Sequence, residues 1–222
     1  MLFILPHVSF WRVYNPHPHP HPHSAMEKYS YVCYALVALL VIVCIRIYYD
    51  SDAFQLKCVL SSKDGNRYCV REREKLELAA DLLAEVTEKC KLLVRYLGEK
   101  YPDNKKVQRL VKGFNPKRIS ETLPTSELTA YSENKGEKIA FCLNTTKEGN
   151  QLIDLNTLTF VAFHELAHIM TVSIGHKQEF WDNFKFLLVN AKEAHLYNPE
   201  DYKKHPREYC GMTISDNPLF DM

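Results

Sequence analysis

Apolar and polar residues are arranged along this chain in several distinct rhythms, and each rhythm predicts a different element. Over residues 29–45 no charge interrupts the sequence, and Ile47, Tyr48 and Tyr49 carry the run past Arg46. That length spans a bilayer as a helix. Arg46 can snorkel to the headgroups, and tyrosines stand at both ends, where interfacial aromatics belong. Further on, Leu76, Leu78, Ala79, Leu82, Leu83, Val86, Cys90, Leu93, Val94 and Leu97 recur at intervals of three and four. This spacing predicts an amphipathic, core-facing helix closed by Gly98 and Pro102. Residues 157–173 are apolar on almost every side, which predicts a buried helix with Asp154 or Asn156 as its N-cap. Between these helices, residues 128–131 and 138–143 have the texture of strands. They are joined by Ser132, Glu133, Asn134, Lys135 and Gly136, and together predict a hairpin. Phe180, Trp181, Phe184, Leu187, Leu188 and Ala191 form the stripe of one more helix and read as core.

The remaining segments divide the chain. Residues 16–23 repeat Pro-His strictly and cannot pack a core, so residues 1–28 read as a disordered, low-complexity N-terminus. Met26, just before the apolar run, is an alternative start. Residues 29–49 read as a transmembrane anchor. The rival is a cleaved signal peptide, but the run is followed by Arg46, Ile47, Tyr48 and Tyr49 rather than a small-x-small cleavage pattern. Arg12 and Lys28 precede the segment while Arg46, Lys57 and Lys63 stand at or after it, a slight bias toward a cytosolic C-terminal side. Residues 50–222 are left as one folded domain, beginning with a segment that has a turn at Asp64, Gly65 and Asn66 but no assigned role.

Composition changes this picture little. A formal net charge of +1 gives no long-range field to steer nucleic acid or an acidic substrate. Lys105, Lys106, Arg109, Lys112, Lys117 and Arg118 form a basic stretch. It reads by default as a solvated helix face, with a membrane headgroup or nucleic-acid contact as the sharper alternative; since no exposed aromatics interleave the charges, nucleic acid is not an expected partner. Of the seven cysteines, Cys33 and Cys44 lie in the apolar run and five lie outside it, an odd number that argues against a complete disulfide framework. Asn144, Thr145 and Thr146 spell a glycosylation sequon, meaningful on a luminal side only.

The chemistry concentrates in one place. Within the apolar helix the only ionisable side chains are His164, Glu165 and His168. Residues four apart share a helix face, so the two imidazoles can bind one Zn²⁺ while Glu165, one residue round, reaches a water in its open position. Ten histidines make a chance match easy, but burying three such groups without a shared cation would be costly. A catalytic zinc needs a third protein ligand. Gly175 can end the helix in a left-handed conformation and turn His176 back onto His164 and His168. Glu179 and Glu193 are the fallbacks. Tyr202 and Tyr209 are candidate oxyanion donors, though ordinary surface or core tyrosines are the better reading, and Met212 is a lesser candidate for a methionine turn beneath the metal.

From His164-Glu165-Leu166-Ala167-His168 through Gly175-His176-Lys177-Gln178-Glu179-Phe180-Trp181, the sequence resembles zincin metallopeptidases of the WLM and SprT-like kind. The resemblance covers roughly residues 125–190. It implies His164, His168 and His176 as zinc ligands and Glu165 as general base. The interval from His168 to His176 looks longer than in WLM proteins, and no C-terminal zinc ribbon follows. The longer pattern with Tyr209, Cys210, Gly211 and Met212 looks like metallopeptidase-like proteins of large DNA viruses and protists. The expected fold is α+β: a mostly helical zincin-like domain with a small sheet, preceded by one transmembrane helix. The expected activity is zinc-dependent cleavage of a protein or peptide substrate at a membrane. The alternative is a non-catalytic membrane adaptor whose structural zinc is closed by a fourth ligand such as Glu179 or His205.

Overall fold

A computed structural model describes residues 23–50 and 55–221. The Pro-His repeat falls almost wholly outside them. Helix α1 (His23–Asp50) opens at its last histidine, so the segment expected to be disordered through residue 28 is already helical over its final residues. Within α1, Tyr29–Tyr49 is long and apolar enough to cross a membrane, and none of it is buried by protein. Beyond Arg46 the chain forms a separate compact unit, which holds the core.

That core is built on α4 (Leu155–Met170). Because its sequence is apolar all round, α4 has to be covered on every side but one. Helix α2 (Leu76–Lys100) packs on it with Ala79, Ala80, Leu83, Val86, Cys90, Leu93 and Leu97, all fully buried at helical spacing. Helix α3 (Lys105–Gly113) crosses near its C-terminal end, and α5 (Gln178–Glu193) lies along it through Phe180, Phe184, Leu187 and Leu188. Asp154 is the N-cap of α4, taking the Thr157 amide at 2.9 Å, while Asn156 bonds Asn198 instead.

The remaining side of α4 faces strand β4 (Ala130–Glu133), which pairs antiparallel with β5 (Lys138–Phe141); β5 in turn pairs parallel with β3 (Ile119–Glu121). The order β3-β5-β4 makes β4 an outer strand. Two hairpins flank this sheet: β1 (Leu56–Leu60) with β2 (Arg67–Arg71), and β6 (Arg207–Tyr209) with β7 (Met212–Ile214). The architecture is therefore α+β, about half helical with small sheets, as expected.

Several local expectations need correction. Helix α2 runs through Gly98 to Lys100, because that glycine faces α3: a Cβ there would lie 3.3 Å from Val111 Cγ2, so its absence lets the helices approach. The hairpin strand begins at Ala130 and keeps Ser132 and Glu133, since an outer strand can carry polar side chains. Its turn is confined to Asn134, Lys135 and Gly136, with φ of 46°, 57° and 106°. The segment without an assigned role is the β1-β2 hairpin, turning at Gly65 as read. Four of the five cysteines outside α1 pair, Cys58 with Cys69 across that hairpin and Cys142 with Cys210; the odd one, Cys90, is a buried thiol pushed up to about 12 by its burial. Asn144 is 4% exposed, accepts from Arg73 at 2.6 Å and donates to Gly149, so the sequon is a structural residue with no room for a glycan. The basic stretch is only partly a solvated face, as Lys106 bonds Asn183 and Arg109 bonds the Met170 carbonyl.

Gly136 meets Gly113 where the hairpin turn docks on the ends of α3 and α4. A Cβ at Gly136 would lie 2.4 Å from Gly113 O and 2.8 Å from Ile169 Cδ1 at a φ that side chains avoid. We expect Gly136→Ala to destabilise by about 2 kcal/mol or more and to lower the melting temperature of the detergent-solubilised full chain by roughly 4–8 °C. An unchanged melting curve would contradict this close packing.

Candidate metal centre

Helix α4 carries His164 and His168 one turn apart, their ring centroids 5.0 Å from each other, on the side left open by its neighbours. The helix stops at Met170, earlier than the sequence reading had it. Thr171 is the C-cap: its amide and its hydroxyl both return to the Ala167 carbonyl, the latter at 2.7 Å. Gly175 does take a left-handed conformation, at φ 79°, but in the middle of the following loop rather than at the helix end. The result foreseen for it still holds, because the loop folds back and sets His176 Nε2 3.0 Å from His164 Nε2 and 3.2 Å from His168 Nε2.

Those distances test whether a metal fits. Nitrogens bound at 2.0–2.1 Å around a tetrahedral zinc stand about 3.3 Å apart, close to what the three histidines already show. Burial pushes His164 down to about 3 and His168 to about 4, with neighbouring histidines adding to both, so each offers a lone pair rather than a proton. One proton cannot satisfy three converging ring nitrogens. One cation does.

Beneath the three imidazoles lies Phe180, fully buried, its ring centroid 4.7 Å from His164, 4.4 Å from His168 and 4.6 Å from His176. The sequence reading placed it in the core and missed that it is also the floor of the site. Its position four residues after His176 was the available signal. Met212, by contrast, lies in β7, about half exposed, against Thr129 on the cleft wall, and is not beneath the histidines. Trp181, counted with the core stripe, is 39% exposed beside His176.

Glu165 points from α4 toward β4, 4% exposed. Burial raises its carboxyl to about 8, opposed by a hydrogen bond from Ser132. The histidines and Glu165 share a cleft of about 750 Å³ whose lining includes Thr129, Ala130 and Ser132 from the sheet and Met212 and Ile214 from the C-terminal hairpin. Tyr209 is structural, donating its hydroxyl to the Thr129 carbonyl at 3.0 Å and accepting from the Cys142 amide. Tyr202 is fully buried against Phe160. The Tyr209 hydroxyl is thus committed to the backbone, and Tyr202 does not line the cleft, so neither is placed to serve an oxyanion.

The fallback ligands are engaged elsewhere. Glu179 accepts the Val172 and Ser173 amides at 3.1 Å each, which holds its carboxyl down to about 2, and Glu193 pairs with Lys100. Among the described residues the cluster of possible metal ligands at this site contains only His164, His168 and His176; His205 is not part of it.

Known proteins resemble this chain in sequence. Uncharacterized protein R325 of Acanthamoeba polyphaga mimivirus is 29% identical over 192 residues, covering 82% of this chain and 95% of its own length. Uncharacterized protein 136R of Invertebrate iridescent virus 6 is 35% identical over 82 residues, 36% of this chain and 44% of that protein. Among solved structures, a Wss1 mutant from Saccharomyces cerevisiae aligns with 19% identity and a TM-score of 0.43, over 58% of this chain and 91% of that one. The family model of the WLM domain matches residues 59–218. That match runs from β1 past β7, so neither the interval between His168 and His176 nor the lack of a zinc ribbon takes the chain outside the family. The chain belongs to the WLM family and has its metallopeptidase-like fold.

Proposed function

We propose that this protein is a membrane-anchored zinc-dependent endopeptidase in which His164, His168 and His176 hold the metal and Glu165 is the general base. The observation that carries the reading is the convergence of three histidine Nε2 atoms at a cleft that also holds a buried carboxyl group and an outer strand. When bound, zinc would polarise the scissile carbonyl and acidify the attacking water.

The chain's own residues supply the rest. An extended peptide can add to β4 by main-chain hydrogen bonds, which would lay it across the face of α4 that carries the histidines. Glu165 takes the proton of the attacking water and returns it to the leaving amine. Its raised proton affinity makes it a stronger base than an exposed carboxylate, while a divalent cation nearby favours its ionised form. Phe180 keeps water from the underside of the imidazoles. The adaptor alternative is weaker because it requires a fourth protein ligand, and Glu179 is occupied by backbone amides.

Two experiments on the full chain in detergent test this. One zinc per chain is expected, and each of His164→Ala, His168→Ala and His176→Ala should lose most of it; full retention by His176→Ala would move the third ligand elsewhere. Glu165→Gln should keep zinc yet cleave an unfolded protein substrate about 10² to 10⁴ times more slowly. Undiminished hydrolysis by that variant would sink the mechanism.

The anchor is assigned to residues 29–49. For the side of the membrane, we weigh the Cys58–Cys69 and Cys142–Cys210 bridges above the small excess of positive charge after the segment, and place the folded domain in an oxidising compartment. Maleimide labelling after non-reducing denaturation of isolated membranes should then modify Cys33, Cys44 and Cys90 only, and all seven cysteines after reduction. Seven reactive thiols without reductant would return the domain to the cytosolic side.

A further inference from the structure

The three candidate ligands are not held equally. His164 and His168 belong to a helix sealed in the core, but His176 sits in the segment 172–177, where Val172, Ile174, Gly175, His176 and Lys177 are all exposed and Ile174 is 86% so. A segment with no buried apolar anchor opens at little cost unless polar contacts close it. Two side chains from different parts of the fold make those contacts. Lys135 Nζ donates to the carbonyls of His168 at 3.1 Å, Thr171 at 2.9 Å and Ser173 at 3.3 Å. Glu179 accepts the amides of Val172 and Ser173. One group gathers carbonyls and the other gathers amides, so the backbone between Met170 and His176 is gripped through both of its polar sides.

We propose that Lys135 and Glu179 are positioning residues for the metal centre, fixing the loop that presents His176; this rests on the ligand set given above. The place of Lys135 favours the reading. It is the middle of three consecutive residues with positive φ, a conformation a lysine adopts only under constraint, and the contact between Gly136 and Gly113 supplies that constraint. The turn also ends strand β4, so the strand that walls the cleft and the loop that completes the metal site are joined through one ammonium group.

For Lys135 electrostatics and positioning predict opposite signs, while for Glu179 both predict weaker binding and only the dependence on His176 separates them. A lysine beside a cation site repels the cation, so a charge effect alone would make Lys135→Met bind zinc more tightly. Positioning requires weaker binding, by about 10- to 100-fold as for other groups that orient a metal ligand. Zinc affinity of the full chain in detergent would be measured by competition with a chromophoric chelator, with the apo melting temperature as a control on folding. Lys135→Met and Glu179→Gln should both weaken binding, and Lys135→Arg, which keeps the donors, should recover most of it.

In a His176→Ala background, Lys135→Met should change affinity less than about threefold, because the two act through one loop. The visible spectrum of the cobalt-loaded Lys135→Met protein should move toward that of His176→Ala. Unchanged or tighter binding by Lys135→Met, or an equal loss with and without His176, would overturn the proposal. If Lys135→Met fails to fold, Glu179→Gln takes its place in the same cycle. A wild type that binds no zinc, or a His176→Ala variant that binds it fully, would instead reject the ligand set itself.

Discussion

A helix that is apolar on every side can hold two imidazoles and a carboxylate only if something compensates their burial. Left alone, those groups would each cost free energy by desolvation, and the downward shifts of His164 and His168 and the upward shift of Glu165 express that cost. A cation removes the conflict: it needs neutral imidazoles, and its charge favours the ionised carboxylate. The surrounding structure follows from this requirement. Helices α2 and α3 and the buried face of α5 seal the flanks of α4, Phe180 closes the space under the ring nitrogens, and only the face toward β4 and the C-terminal hairpin stays open.

The walls of that opening come from distant parts of the chain. Cys142, just past β5, is bonded to Cys210 in the turn of the last hairpin, and Tyr209 beside it bridges to Thr129 and to the Cys142 amide. A buried cluster of Arg71, Arg73 and Glu121 pins the adjoining strands, with Arg71 bonding Thr122, Leu123 and Lys147 as well. Removing one partner would strand a buried charge, so the cluster constrains geometry more than it adds stability. Together these contacts tie the C-terminal hairpin to the sheet beside the cleft without contributing a ligand or a base to the candidate chemistry.

What was legible in the sequence divides along the same line. Long periodic segments announced α2, α4 and α5, the unbroken apolar run announced α1, and His164, Glu165 and His168 were readable because helical spacing is strictly local. His176 was readable as an outcome although its route was not: the chain ends α4 at Thr171 through a hydroxyl bond to Ala167, and Gly175 acts later in the loop. The three-residue strand β3, the pairing of Cys142 with Cys210, and the burial of Asn144 had no local signal, since each is fixed by residues tens of positions away. For Tyr202 and Tyr209 the sequence favoured ordinary core or surface tyrosines over oxyanion donors but could not decide between core and surface. Only tertiary packing shows that their hydroxyls face the interior.

The site thus joins a rigid half to a soft half. His164, Glu165 and His168 move only if the core moves, and Phe180 fixes the level at which the imidazoles lie. His176 depends on a loop of exposed residues held by hydrogen bonds, contacts individually worth about 1 kcal/mol and open to competition from water. The two histidines of the helix therefore set where a metal can stand, while the loop sets how readily the third nitrogen completes the site. Since the loop's main tether, Lys135, belongs to the turn of the strand that an extended chain would extend, occupancy of the strand edge and closure of the metal site share one mechanical element.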